Sequence, residues 1–255
     1  MDVIGIYLFI VGLFFGSFYN VVATRLPKNE SIIKPGSHCE NCKHRLTWYE
    51  LIPVFSYIFL KGKCKKCKIK LSIQYPLVEI LTGLLFMVSY LIFGVSYDTL
   101  ISIVLVSLVI LIFISDIKYY VILDEALIVA GVLLLVLLYL KGGFELLLTN
   151  TLYGVCLFII MLVVKLSGDK VFKKESLGWG DVKLSLIAGM VLGLYLGTVY
   201  IFLGAFIALP YSILLCIKKG NGMIPFGPFL GVSLLIVYWN GTAINDFVLK
   251  LIGVE

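Results

Sequence analysis

Runs of apolar residues close to the ~20 needed to carry a helix across a bilayer recur from one end of the chain to the other. They are continuous rather than alternating, so the pattern predicts membrane-spanning helices and not a barrel. Eight such segments are predicted, over residues 3–24, 75–94, 98–115, 122–140, 144–166, 182–196, 198–217 and 227–250. The sixth is short and glycine-rich, as expected of a helix packed inside a bundle rather than facing lipid. Only residues 116–121 join the third segment to the fourth, which predicts a tight antiparallel pair with Asp116 and Asp124 at one membrane face. The first segment follows Asp2 rather than a basic stretch and has no persuasive cleavage site before Arg25. It is therefore expected to be a retained helix and not a signal peptide.

Composition supports this reading. Of 255 residues, 61% are hydrophobic and 14% charged, whereas soluble domains are about half apolar and a quarter charged. The expected architecture is an all-α polytopic membrane protein of about eight transmembrane helices. A polar loop follows the first helix, giving the division 1–24 (first helix), 25–74 (loop) and 75–255 (membrane core).

The net charge of +6 matters less than its placement. In an eight-helix arrangement, 19 of the 21 Lys and Arg residues fall on one side, leaving only Lys141 and Lys250 on the other. The basic side is expected to be cytosolic, with both termini outside. Asp116, Asp124 and Asp181 then share the cytosolic face. The basic residues sit in short loops beside membrane segments, which argues against nucleic-acid binding and leaves membrane lipid as the surrounding partner.

The loop carries Cys39-x2-Cys42 and Cys64-x2-Cys67. Two such knuckles in a reducing compartment predict a four-cysteine, tetrahedral structural zinc site. A disulfide pair is disfavoured on the cytosolic side, and a redox motif by the presence of two pairs. Zinc would organise a loop too small to own a core, through a small two-stranded or ribbon-like excursion. His38 and His44 are expected to be solvated, and Cys156 and Cys216 to be small core residues.

Two carboxylates stand at the ends of apolar runs, Asp116 in Ile114-Ser115-Asp116 and Asp181 in Gly178-Trp179-Gly180-Asp181. Ionisable groups at membrane helices mark function by default. A pair sharing one proton is the arrangement that activates water in aspartic proteases. The competing structural roles are an ion pair with Lys118 or a helix-end contact for Asp116 and a helix N-cap for Asp181. Gly178 and Gly180 allow positive φ or a close backbone approach. Asp124 is expected to cap or support rather than to react.

Taken together these motifs resemble the type IV prepilin peptidases, the GxGD membrane aspartic proteases of bacteria. The likeness runs from about residue 10 to 230. It includes Gly16-Ser17-Phe18-Tyr19-Asn20 with Arg25-Leu26-Pro27, the four cysteines around Trp48-Tyr49-Glu50-Leu51-Ile52-Pro53, and Gln74-Tyr75-Pro76-Leu77-Val78-Glu79. It continues through Asp116, Gly178-x-Gly180-Asp181 and Pro225-Phe226-Gly227-Pro228. One departure is Leu123, where the family usually has proline. The resemblance implies that Asp116 and Asp181 are catalytic; Gly178, Gly180, Asp124 and Glu79 are expected to support them, with Glu79 meeting a substrate's basic leader or a loop lysine. It implies cleavage of pilin-like precursors, with a basic leader ahead of an apolar helix, at the cytosolic face of the bacterial inner membrane. It also implies N-methylation of the new terminus with S-adenosylmethionine, for which no glycine-rich nucleotide fingerprint stands in the chain. Two other classes compete: a proton- or ion-coupled transporter using the same aspartates, and a non-catalytic pilus assembly factor. The first predicts acids near the midplane and two related halves, whereas here the acids lie at one face and no internal repeat is apparent.

Overall fold

The computed structural model describes residues 3–219 and 224–252, and among them the regular structure is helical. The helices are α1 (Val3–Arg25), α2 (Phe55–Phe59), α3 (Gln74–Phe93), α4 (Tyr97–Tyr119), α5 (Asp124–Phe172), α6 (Trp179–Lys219), α7 (Gly227–Trp239) and α8 (Gly241–Ile252). Five helices are long and apolar enough to cross a membrane, and α7 with the start of α8 makes a sixth candidate span bent by 82°. With 49 and 41 residues, α5 and α6 each exceed a single crossing. Glycine breaks both: Gly142 and Gly143 leave helical geometry in α5, and Gly193 (φ 72°) does so in α6. The α5 break falls in the predicted gap between 140 and 144, and the α6 break precedes the predicted boundary at 196–198. The last segment, expected as one run over 227–250, is instead two helices. A run of apolar residues reports burial or lipid contact and carries no information about a bend at Asn240.

The chain divides into two compact units, Met1–Thr99 and Leu100–Glu255. In the first, α1 packs on α3. Gly12, Gly16 and Gly83 make the contact possible: a Cβ on Gly12 would lie 2.6 Å from the Gly83 Cα, and one on Gly16 would lie 2.7 Å from the Glu79 Cα. Small residues let membrane helices approach this closely, where packing replaces the hydrophobic drive. Buried Asn20 adds polar contacts to the same seam, donating to the Gly16 and Tyr75 carbonyls.

In the second unit α5 packs on α6, and α6 on α7. Gly154 and Gly189 set the first contact, a Cβ on Gly189 lying 2.7 Å from the Gly154 Cα. The α4 helix is held to α7 by the Trp239 Nε1–H donating to Ser102 Oγ at 2.7 Å and by Gly231 against Val109. Outward faces remain apolar, with Phe202 and Phe206 exposed, as lipid-facing surfaces must be. For the same reason Cys156, expected in the core, is exposed; apolar neighbours in a membrane helix do not imply burial. The Cys216 side chain lies outside the described residues.

Candidate active site

Asp116 lies in the last turn of α4 and is buried. Its Oδ2 accepts the Gly227 backbone N–H at 3.0 Å, at the first residue of α7. Helix N-termini present unpaired N–H groups that suit a carboxylate. Residue 227 has no room for a side chain, since a Cβ would sit 2.9 Å from Asp116 Oδ2 and 3.0 Å from the Ile122 side chain. Lys118, the alternative partner of Asp116, lies instead over the Tyr119 ring.

Asp181 is the third residue of α6, so it does not occupy the N-cap position. It is buried, and the Gly178 backbone hydrogen-bonds its carboxyl. Its Oδ1 is buried without a hydrogen-bond partner among the described residues. The two glycines serve close approach rather than positive φ. A Cβ on Gly180 would lie 2.6 Å from the Ile122 Cβ, and one on Gly178 would lie 3.1 Å from Asp181 Oδ2. Ile122, in the turn between α4 and α5, thus packs against the glycines beside both acids. The structure brings Asp116 and Asp181, 65 residues apart in sequence, near enough to interact electrostatically.

Asp124 has a different partner. Both its oxygens accept from Lys183 Nζ, at 2.7 and 2.8 Å, joining the start of α5 to the start of α6. It does not cap α5, whose N-cap is Leu123. Leu123 has φ −71° there, near the value a proline would fix, so the helix starts in register without one.

Lys165 is a candidate-site residue that no sequence motif marks. It is buried (1% exposed) at the end of the second half of α5. Its Nζ donates to the Leu177 carbonyl at 2.6 Å, pairs with Asp169 at 3.2 Å and Glu175 at 3.5 Å, and lies 5.1 Å from the Trp179 ring centre. Ser176 ties the same turn down, its N–H and hydroxyl both donating to Asp169 Oδ1. The residues that lead into Gly178-Trp179-Gly180-Asp181 are thus strapped to α5, and the lysine charge reaches Asp181. The available signal was one cation ending an apolar run shortly before the glycine motif.

The remaining predicted residues belong to the first unit. Glu79 is buried and among the described residues pairs with no loop lysine; its Oε2 accepts the Val54 N–H at 2.7 Å. The four cysteine sulfurs all lie within 4.8 Å of one another, with Cys39–Cys67 at 3.8 Å and Cys42–Cys64 at 3.9 Å. A tetrahedral ion with metal–thiolate bonds of about 2.3 Å spaces its sulfurs by about 3.8 Å, so this donor set fits a metal ion. The two knuckles repeat one fold. Cys39 N–H donates to the His44 carbonyl and Cys64 N–H to the Ile69 carbonyl, and Lys43 and Lys68 each take a left-handed φ after the second cysteine. Of the bare thiols, Cys67 is lowered by the Ile69 backbone amide, whereas Cys42 is raised, its bond from the His44 amide being outweighed by burial and the neighbouring thiols. The expected ribbon is reduced to two isolated bridges, His38–Arg45 and Lys63–Lys70. Between the knuckles, Thr47 and Glu50 form a capping box that also receives His44 at 3.3 Å.

Residues 10–93 match the model of the bacterial peptidase A24 N-terminal domain, and residues 103–213 that of the type IV leader peptidase family. A prepilin leader peptidase/N-methyltransferase of Bacillus subtilis is 31% identical over 96% of this chain and 97% of its own length. This chain belongs to the type IV leader peptidase family. A relative of the same name from Neisseria gonorrhoeae is 32% identical over 90% of this chain and 88% of its own. One from Myxococcus xanthus is 38% identical over 73% of this chain, a match spanning 56% of that relative's length. No solved structure matches. Membership of the leader peptidase family, with the apolar helices above, makes this a multi-pass inner-membrane protein.

Proposed function

We propose that the chain is a membrane-embedded aspartic endopeptidase that cuts the basic leader from pilin-like precursors at the cytosolic face. One observation carries the reading: two buried carboxyls that flank α5 in sequence, Asp116 and Asp181, lie within electrostatic reach, and one oxygen of Asp181 has no hydrogen-bond partner among the described residues. Like charges this close do not both ionise cheaply, so the pair shares a proton. The ionised member takes a proton from water, and the resulting hydroxyl adds to the scissile carbonyl carbon. The protonated member gives its proton to the carbonyl oxygen. Collapse of the tetrahedral intermediate breaks the C–N bond as the aspartate that took the water proton passes it to the leaving nitrogen and the other aspartate takes a hydroxyl proton from the gem-diol, which restores the shared proton. Gly227 holds Asp116 in orientation, and the strapped turn before Gly178 does the same for Asp181.

Zinc is the metal we assign to the four thiolates, with a structural role in residues 25–74. The division 1–24, 25–74 and 75–255 describes first helix, zinc loop and peptidase core in functional terms. The basic loops lie in the cytosol and both termini outside, as positive charge placement requires. The relatives' names add N-methylation; S-adenosylmethionine is the methyl donor we assign. No cluster among the described residues marks a site for it, and no step is derived through it. Neither transport nor a purely assembling role is favoured by the family.

The test is co-expression with a pilin-like precursor. Wild type should shorten the precursor, and Asp116→Asn and Asp181→Asn should each abolish shortening while leaving the enzyme in the membrane. Unchanged cleavage by either variant rules the two-aspartate mechanism out.

A further inference from the structure

The short helix α2 has its polarity inside out for a soluble loop. Tyr57, its one aromatic hydroxyl, faces inward and donates to the Leu71 carbonyl at 3.3 Å. Phe55, Ile58 and Phe59, spaced i, i+3 and i+4 on one face, point outward and are 56%, 63% and 80% exposed. No described residue of the first unit covers them.

The depth of this face is fixed by α3. Val54, immediately before α2, has φ 63° and ψ −53°, a conformation that is strained for a β-branched residue. What holds it there is its N–H, donated at 2.7 Å to the buried Glu79 carboxylate. Glu79 is the sixth residue of α3, one of the membrane-capable helices, and so lies about 7.5 Å along it. The loop therefore dips back beside the first turns of α3 and delivers α2 at that level. Interfacial helices bury their apolar faces about 5–10 Å into the headgroup and acyl boundary.

Charge on the following residues is complementary to an anionic surface. Lys61, Lys63, Lys66, Lys68 and Lys70 are exposed, Lys65 is exposed but donates to the Tyr49 hydroxyl at 2.6 Å, and there is no acid between Glu50 and Glu79. Lysines beside an anionic leaflet are attracted to its headgroups.

We propose that α2 is an interfacial anchor: Phe55, Ile58 and Phe59 insert into the acyl boundary of an anionic bilayer, and the lysines after it lie on the lipid phosphates. The buried Glu79, read in the sequence as a partner for a leader or a lysine, is the peg that sets this depth. The metal-binding loop is thereby seated on the membrane. This inference is independent of the peptidase mechanism and holds or fails without it.

The experiment uses the full chain in vesicles of phosphatidylcholine and phosphatidylglycerol, with a photoreactive residue placed by Phe59→benzoylphenylalanine or, on the inner face of the same helix, Tyr57→benzoylphenylalanine. Metal content per chain reports whether each variant keeps its loop. Position 59 should give lipid adducts at least several-fold more often than position 57, and phosphatidylglycerol should be enriched among the adducts about two-fold over its share of the vesicle. Equal, or no, lipid adducts at the two positions overturn the insertion. Adducts to a second copy of the chain at position 59 also overturn it, by showing that protein covers this face. Adducts in proportion to bulk lipid overturn the role of the lysines. Should the position 57 variant lose its metal, the inward comparison passes to Val54→benzoylphenylalanine, judged by the same outcomes.

Discussion

At the scale of single residues, the site depends on where side chains are absent. Gly227 donates to Asp116 and leaves no room for a methyl group. Gly227→Ala is expected to lower cleavage at least ten-fold, because the Cβ either displaces the carboxylate or breaks the hydrogen bond; about 1.4 kcal/mol of lost transition-state stabilisation is already ten-fold. Initial rates on a purified precursor, with the variant's thermal midpoint alongside, check this. Lys165 gives a second expectation. Lys165→Met removes the donor to Leu177 and leaves that turn held by Ser176 alone. It is expected to reduce kcat with little change in KM, since the turn orients Asp181 rather than gripping substrate, and Lys165→Arg should recover much of the loss. A rise in KM alone would refute a positioning role.

At the scale of elements, two local devices stand in the loop between α1 and α3, the four-cysteine cluster and the Thr47–Glu50 box. Burial alone would raise the Glu50 carboxyl, but hydrogen bonds from the Thr47 hydroxyl and amide, and from His44, outweigh it and hold the group below its ordinary value. A lowered carboxyl stabilises the fold above its unfolded pKa of about 4.3, and that contribution disappears as pH falls through the lowered value. Glu50→Gln should thus destabilise the loop by roughly 1–2 kcal/mol at neutral pH, with the difference from wild type shrinking below about pH 4. Fluorescence-detected melting, reported by nearby Trp48, measures it. Metal analysis bears on the other device: wild type should hold about one zinc per chain, and Cys39→Ser should lose it. A metal-free wild type would remove zinc from the account.

At the scale of the whole molecule, the proposed orientation rests on positive charge placement, and reporter fusions test it. Alkaline phosphatase joined after Lys66 or Lys174 should be inactive, and joined after Lys141 active; the reverse pattern would invert the topology.

How much of this was legible beforehand follows from what each feature depends on. The apolar segments were readable because a bilayer demands ~20-residue runs, and even the interruption near Gly142 showed as a gap between runs. The cysteine site was readable because two knuckles repeat one local fold with fixed spacing. The acids were readable because charges at membrane helix ends are rare. Spacing carries no such signal for Gly227 against Asp116, for Ile122 between the glycines, or for Lys165 under the turn that leads to Asp181, since each is a contact between distant segments. The strained Val54 on Glu79 belongs with them, as does the bend after Trp239. The sequence by itself therefore determined which stretches are apolar enough to cross a membrane, where charge gathers and which acids stand at the ends of apolar runs, all properties that solvent imposes locally. Tertiary structure alone decided which buried atoms meet, because close packing of helices selects partners by shape, and shape is not written in any one stretch of chain.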